Sequence, residues 1–259
     1  MAGAAIATVI GQFVAAGVAA FCHFYFNHEI SLRFRGFRPN WAVIGKIYQV
    51  GIPSICMQSI GSIMTYCMNL ILIGFSSTAT AVFGVYYKLQ SFFFMPVFGL
   101  NNGITPIIAY SYGAGQRKRM VKTIRLSLVV AFCLLAIGFL AFELMPGTLM
   151  GLFDASEEMS AIGIPALQII GIHFLIAWFP IIAGTVFQAL GRAVFSLVVS
   201  VMRQLVVLIP AAYLLAKSWG LSAVWYAFPI AEIMSAAVSG VFLAYVFRAI
   251  IRKIPDGRE

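Results

Sequence analysis

Three charged side chains, Lys88, Arg203 and Glu232, interrupt stretches that are otherwise apolar. Inside a bilayer each costs about 2.5–3.5 kcal/mol on insertion scales, so each faces protein or a water-filled cavity rather than lipid. Counted from the outer end of its own segment, each lies roughly 14–20 Å deep at ~1.5 Å per residue, so the three can share one level. One acid among two bases supports two readings. Glu232 either locks two helices through a structural salt bridge with one base, or belongs to a polar centre that binds an ion or a substrate. Uncharged polar residues add a second layer. Gln58, Ser62, Thr65 and Asn69 follow one another at helical spacing and form a single stripe. Gln90, Asn101, Asn102 and Thr105 gather in the next segment near Gly99 and Gly103, where a helix break is expected. Such residues either line a cavity or join helices at about 0.6 kcal/mol per contact.

Other chemistry is poorly supplied. No second ligand-type side chain lies three or four positions after His23 or His173, so hydrogen bonding is the plain reading of both. There is no H-E-x-x-H, no Walker loop, no nucleophile motif and no close pair of intramembrane aspartates. The sequence therefore names no catalytic group, no metal site and no cofactor. Cys22, Cys56, Cys67 and Cys133 sit in apolar runs without paired spacing and read as small core residues.

The elements that must carry these residues are membrane helices. Of 259 residues, 62% are hydrophobic and 10% charged, whereas a soluble domain has roughly 45–50% and about 25%. Such a surface has too little polar material to face water, so the solvent is lipid. Polar punctuation divides the chain into seven apolar segments, residues 3–26, 41–75, 79–112, 123–145, 159–190, 193–216 and 220–247. Each meets the requirement of about twenty apolar residues for a helical span. Alternation of the kind that a membrane barrel needs is missing, so the fold class is an all-α polytopic bundle of about seven transmembrane helices. The three longest segments must tilt or kink, and they contain Pro53, Pro96, Pro106, Pro165 and Pro180.

The net charge of +9 is not a nucleic-acid footprint. Fourteen of the seventeen bases fall around the first, third and fifth connections and in the tail: Arg33, Arg35, Arg38 and Lys46; Arg117, Lys118, Arg119, Lys122 and Arg125; Arg192; Arg248, Arg252, Lys253 and Arg258. Seven alternating spans put these stretches on one face and the acidic Asp154, Glu157 and Glu158 on the other. By the positive-inside tendency the basic face and the C-terminus are cytoplasmic, in an inner membrane crossed several times.

Two long stretches carry a family resemblance. GIPSICMQSIGSIMTYCMNLILIGF (residues 51–75), followed by AVFGVYYKLQSFFFMPVFGLNNGITPIIAYSYGAG (81–115), resembles the second half of a multidrug and toxic compound extrusion (MATE) transporter. GAAIATVIGQ (3–12) resembles the last helix of that family's N-lobe, VFQALGRAVFSLVVSVMRQLVVLIPAAYLL (186–215) its penultimate pair, and GLSAVWYAFPIAE (220–232) the start of its last helix. The resemblance implies two six-helix lobes around a central cavity, with inward flow of Na+ or H+ driving export of drug-like compounds by alternating access. The domains expected are then the last helix of a truncated N-lobe (1–26), a basic cytoplasmic linker (27–45), a C-lobe six-helix bundle (46–248) and a cytoplasmic tail (249–259).

Two departures qualify that picture. Five N-lobe helices are expected to be missing, through truncation, a split gene or a fragmentary gene model. Where some members carry a cavity glutamate on the helix of the second segment, this chain has Gly61. In the branch lacking that acid the coupling site lies in the N-lobe, outside this chain. Expected cavity contacts are Gln58, Asn69, Lys88 and Asn102, with Arg203 and Glu232 as a polar pair beside them. Expected partners are a small-molecule substrate, a coupling cation, the bilayer, and a missing N-lobe or partner chain; nucleic acid is not among them. The alternatives are a lipid-precursor flippase, whose basic cavity residues meet a phosphate, and a non-transporting membrane subunit. The topology is testable in cells. In a cysteine-free background a membrane-impermeant maleimide labels Glu157→Cys from outside and leaves Lys118→Cys unlabelled, and the reverse pattern refutes the orientation.

Overall fold

The structure, a computed structural model, describes residues 2–26 and 40–254. The linker bases Arg33, Arg35 and Arg38 and the tail residue Arg258 lie outside them. The chain divides into two units, residues 1–46 and 47–259. Helix α1 (Ala2–Phe26) lies in the first and is long and apolar enough for a span, with Thr8, Gln12 and His23 as its polar side chains.

The helices that follow are α2 (Trp41–Ile73), α3 (Ser77–Gly113), α4 (Arg117–Leu144), the short α5 (Pro146–Gly151), α6 (Glu157–Gly171) and α7 (Phe174–Ala189). They continue with α8 (Ala193–Val201), a π-helical stretch Met202–Leu208, α9 (Ile209–Trp219), α10 (Leu221–Val224) and α11 (Ala227–Ala249). No strand occurs among the described residues. Among them six helices are long and apolar enough to cross a membrane, and the α6–α7 pair, bent by 51°, makes a seventh when taken as one span. The protein is therefore an all-α, multi-pass membrane protein.

Three details differ from the sequence expectations. Helix α4 starts at Arg117, six residues before the apolar run, because Arg117, Lys118, Arg119 and Lys122 extend it into the headgroup zone. Helix α3 runs unbroken through Gly99 and Gly103, and through Pro96 and Pro106. The bend between α6 and α7 falls at His173, not at Pro165 or Pro180. There the backbone N–H of His173 donates to the carbonyl of Ile170 at 2.9 Å, and the ring Nδ1–H donates to the same oxygen. That carbonyl is lost to the N–H of Phe174, and the ladder turns.

Helix ends are chemically marked. Ser76 caps α3 through Ala79 N–H at 3.0 Å, and Ser156 caps α6 through Met159 N–H at 3.2 Å. Gly115 and Gly191, with φ of 69° and 71°, close α3 and α7 as left-handed caps. In each the next N–H reaches back to the helix, Gln116 to Ser111 O at 2.9 Å and Arg192 to Phe187 O at 2.7 Å.

The second unit is held by aromatic packing. Phe94 of α3 and Phe142 of α4 meet Phe174 of α7 at ring separations of 5.1 and 4.9 Å, and Tyr86 meets Phe228 of α11 at 5.3 Å. Outward-facing Phe92, Met95, Leu126, Val129 and Val241 form the lipid surface. The cysteines belong to that surface more than to the core: Cys133 is exposed, and Cys56 and Cys67 are half-buried. Small size suits a lipid face as well as an interior, which is why apolar context alone misplaced them.

Gly138 lets α4 approach Phe174. A Cβ there would stand 2.8 Å from Phe174 Cδ2, whereas one at Gly99 meets nothing within 4 Å. Gly138→Val is therefore expected to destabilise by about 1–3 kcal/mol, read as a lowered melting temperature of the purified protein in detergent. Gly99→Ala should leave that temperature unchanged, and equal behaviour of the two variants would refute the close approach.

Candidate substrate cavity and buried ion pair

The α8–α9 span supplies the one base that reaches the interior. Its central turn, Met202–Leu208, is π-helical, and Pro210 follows directly. A proline ring crowds the carbonyl four residues earlier and offers no N–H, and the wider turn relieves both. The same turn sets Arg203 and Gln204 on the inner side. Gln204 is buried, and Arg203 Nη1 donates to Glu232 Oε2 of α11 at 3.2 Å. The two side chains differ in access: Arg203 is 32% exposed and Glu232 only 4%.

Behind the pair lies a small cavity of about 60 Å³, bordered by Tyr86, Gln90, His173, Gln204, Arg203 and Glu232. It suits a few water molecules, not a drug-sized ligand. Glu232 Oε1 and the Tyr86 hydroxyl have no hydrogen-bond partner among the described residues. His173, 3% exposed, gives its Nδ1–H to a carbonyl, which can only accept. Its Nε2 is then the acceptor facing Gln90 Nε2 at 3.4 Å. Phe94 stacks on the ring at 5.9 Å. His173 is thus a satisfied hydrogen-bonder, and no cluster of three or more metal-ligand side chains occurs among the described residues.

In front of the pair is a larger cavity of about 400 Å³. Gln58 enters from α2, Asn101, Asn102 and Thr105 from α3, Gln188 from α7, and Ser196 and Ser200 from α8. Met57, Phe98, Ile181 and Val199 supply apolar wall. Among the described residues Arg203 is the only charged one lining it, and no acid does.

Among the residues anticipated from sequence, Gln58, Asn102 and Arg203 line the larger cavity, and Arg203 and Glu232 border the smaller one. Asn69 and Lys88 line neither. Asn69 is half-buried farther along α2. Lys88 is exposed, with Nζ 5.8 Å from the Phe153 ring centre, so this base does not join the pair. Its long stem carries the ammonium away from the core. Of the stripe on α2, Ser62 is exposed and Thr65 spends its hydroxyl on Gly61 O at 3.0 Å. Gln188, Ser196, Ser200, Gln204 and Tyr86 were not anticipated. Gln188 announces itself only as the last polar residue before the Gly191 cap, and Gln204 only through the π turn. A Cβ at Gly61 would stand 3.9 Å from Gln204 Oε1. The position that the resemblance singles out for an acid thus borders the group that Glu232 enters from α11.

Burial asymmetry makes the pair's energetics directional. Arg203→Gln leaves a sealed carboxylate unpaired and is expected to cost about 3–5 kcal/mol. Glu232→Gln leaves a base with access to the cavity and costs less, and the double variant recovers most of the loss. Melting temperatures of the three purified variants decide the matter; equal losses in the two single variants would contradict the geometry.

Residues 53–214 match the MatE family. Multidrug export protein MepA of Staphylococcus aureus (strain bovine RF122 / ET3-1) is 25% identical over 251 residues, covering 95% of this chain and 54% of that protein. MepA of Staphylococcus haemolyticus (strain JCSC1435) is 24% identical over 249 residues, with 95% and 54% covered. The chain spans about half the length of the curated relatives it matches. Among solved structures, similarity extends to a MOP superfamily transporter from Pyrococcus furiosus Vc1, for which reverse polarity of the binding pocket suggests a different function. The TM-score is 0.88 at 23% identity, over 97% of this chain and 57% of that one. An outward-facing MATE family multidrug resistance transporter of the MOP superfamily gives 0.88 at 22%, with 97% and 57% covered.

Proposed function

The chain belongs to the MatE family, and from that premise we propose that it is the C-terminal lobe, with one preceding helix, of a secondary transporter that exports organic compounds across the inner membrane. The observation that carries this reading is the cavity of about 400 Å³ inside a membrane bundle, with amide, hydroxyl and apolar walls. Its size falls in the range of small-molecule sites, and the relatives that cover nearly the whole chain are named multidrug export proteins.

Export against a gradient requires that substrate and coupling ion bias opposite conformations. We assign coupling to Na+ or H+ at a site outside this chain. Among the described residues Glu232 is the only acid bordering either cavity, and Arg203 already engages it. Glycines and prolines along α2, α3 and α9, among them Gly51, Pro53, Pro96, Gly99 and Pro210, are then the bending points of alternating access. The basic connections and the C-terminus face the cytoplasm.

A second reading is favoured by the single base in the larger cavity: a flippase of similar architecture, whose lipid-linked cargo presents a phosphate to Arg203. Cells expressing the chain test the export reading. Efflux of organic dyes should exceed that of vector controls and should collapse when the Na+ and proton gradients are dissipated. Background efflux of every dye from cells with the chain correctly inserted would overturn it and leave a non-transporting membrane subunit.

A further inference from the structure

We infer that the larger cavity takes the anionic group of an amphipathic organic cargo on Arg203, and that its hydroxyl rim receives donor groups from the remainder of the same molecule. This deepens the export reading by naming a substrate class.

Three observations carry it. First, among the described residues the cavity wall has one charged member, Arg203, and no acid. The counter-charge, Glu232, stands behind the guanidinium in the small cavity and is sealed, while the guanidinium is one-third exposed. A ligand in the larger cavity therefore meets the positive end of the pair. Second, arginine has five N–H donors in a planar fork, and the hydrogen bond to Glu232 uses Nη1. The donors left over match two oxygens of a carboxylate, sulfonate or phosphate. Third, three hydroxyls of the wall point their protons into the protein. Ser196 donates to Gly184 O at 2.9 Å, Thr105 to Asn101 O at 2.7 Å and Thr185 to Ile181 O at 3.1 Å. Toward the cavity they present lone pairs, which accept from hydroxyl, amide or ammonium groups. Ser235 Oγ, on a residue 1% exposed, lines the same cavity with no hydrogen-bond partner among the described residues. Phe98, Ile181 and Val199 take the apolar part.

Fluorescein and rhodamine 123 share a xanthene scaffold and differ in charge, so they isolate the effect of sign. Binding is measured by fluorescence anisotropy with the purified chain in zwitterionic phosphatidylcholine nanodiscs. Wild type should bind fluorescein more tightly than rhodamine 123. Arg203→Gln should weaken fluorescein at least about tenfold, the scale of one charge-assisted hydrogen bond, and leave rhodamine 123 unchanged or tighter. Ser200→Asp places an acid in the cavity without touching the ion pair, and should reproduce the fluorescein loss even where Arg203→Gln folds poorly. Fluorescein binding that is indifferent to both variants, or tighter binding of rhodamine 123 by wild type, overturns the proposal. Titration with phosphatidylglycerol identifies the source of the anion. Displacement of fluorescein marks a lipid phosphate and no displacement marks a free organic anion, and either result supports the shared chemistry when Arg203 is required. Because no gradient is present, the two readings fail separately. Arg203-dependent binding without efflux in cells sinks export alone, and efflux without Arg203-dependent binding sinks this inference alone.

Discussion

A carboxylate sealed inside an apolar bundle persists in charged form only beside a counter-charge, and Glu232 has one. Its partner stands on a different span, so the pair ties the α8–α9 span to α11 at mid-membrane. The tie constrains backbone as well as side chain. Arg203 stands on a π-helical turn, and Pro210 makes the wider turn the less costly local solution. Replacing such a pair by well-packed apolar residues is often neutral or stabilising. The pair stands where the two cavities meet, with Arg203 bordering both.

The packing around the pair decides how that task is divided. Tyr86 meets Phe228 at 5.3 Å and Phe94 meets Phe174 at 5.1 Å, and the His173 ring joins the two pairs into one wall, 6.3 Å from Tyr86 and 5.9 Å from Phe94. Close approach of α4 to that wall depends on Gly138, where any side chain would enter the space of Phe174. The wall keeps the small cavity at water scale, and its exclusion of bulk water strengthens the Glu232–Arg203 attraction. The larger cavity lies on the opposite side of the guanidinium and needs no such wall, because its lining is neutral apart from Arg203 itself.

Much of this was legible in the sequence. Seven apolar segments with bounds near those of the helices follow from the need for about twenty apolar residues per span, and the Glu232–Arg203 pair follows from the cost of lone intramembrane charges. Gln58 and Asn102 were placed by helical spacing and proximity. Spacing misled where backbone departs from 3.6 residues per turn or where a side chain is long. The bend falls at His173 and not at a proline, and Lys88 turns its ammonium toward Phe153 and away from both cavities. Asn69 shares a stripe with Gln58, but the stripe runs past the end of the cavity. Ser196 and Ser200 were hidden for another reason: short hydroxyl side chains in an apolar run look like packing, and only the neighbouring helices show which of them meet a void.

The sign of the cavity follows from order in space, not from the count of charges. One acid and one base make a neutral pair, and a bundle with Glu232 in front of Arg203 would offer a ligand a carboxylate. Here the acid is 4% exposed and the base 32%, so the cavity meets the guanidinium end of a dipole whose other end is closed off. Gly61 contributes by what it does not add. A side chain at that position would grow toward Gln204, beside the pair, and an acid there would stand on the α2 side of the guanidinium. With glycine at 61 and the only nearby acid on α11, the base has no competitor in the larger cavity. Arg203 is also the one residue that borders both cavities together with a charged partner. A ligand in the larger cavity would meet the donors that the hydrogen bond to Glu232 leaves free.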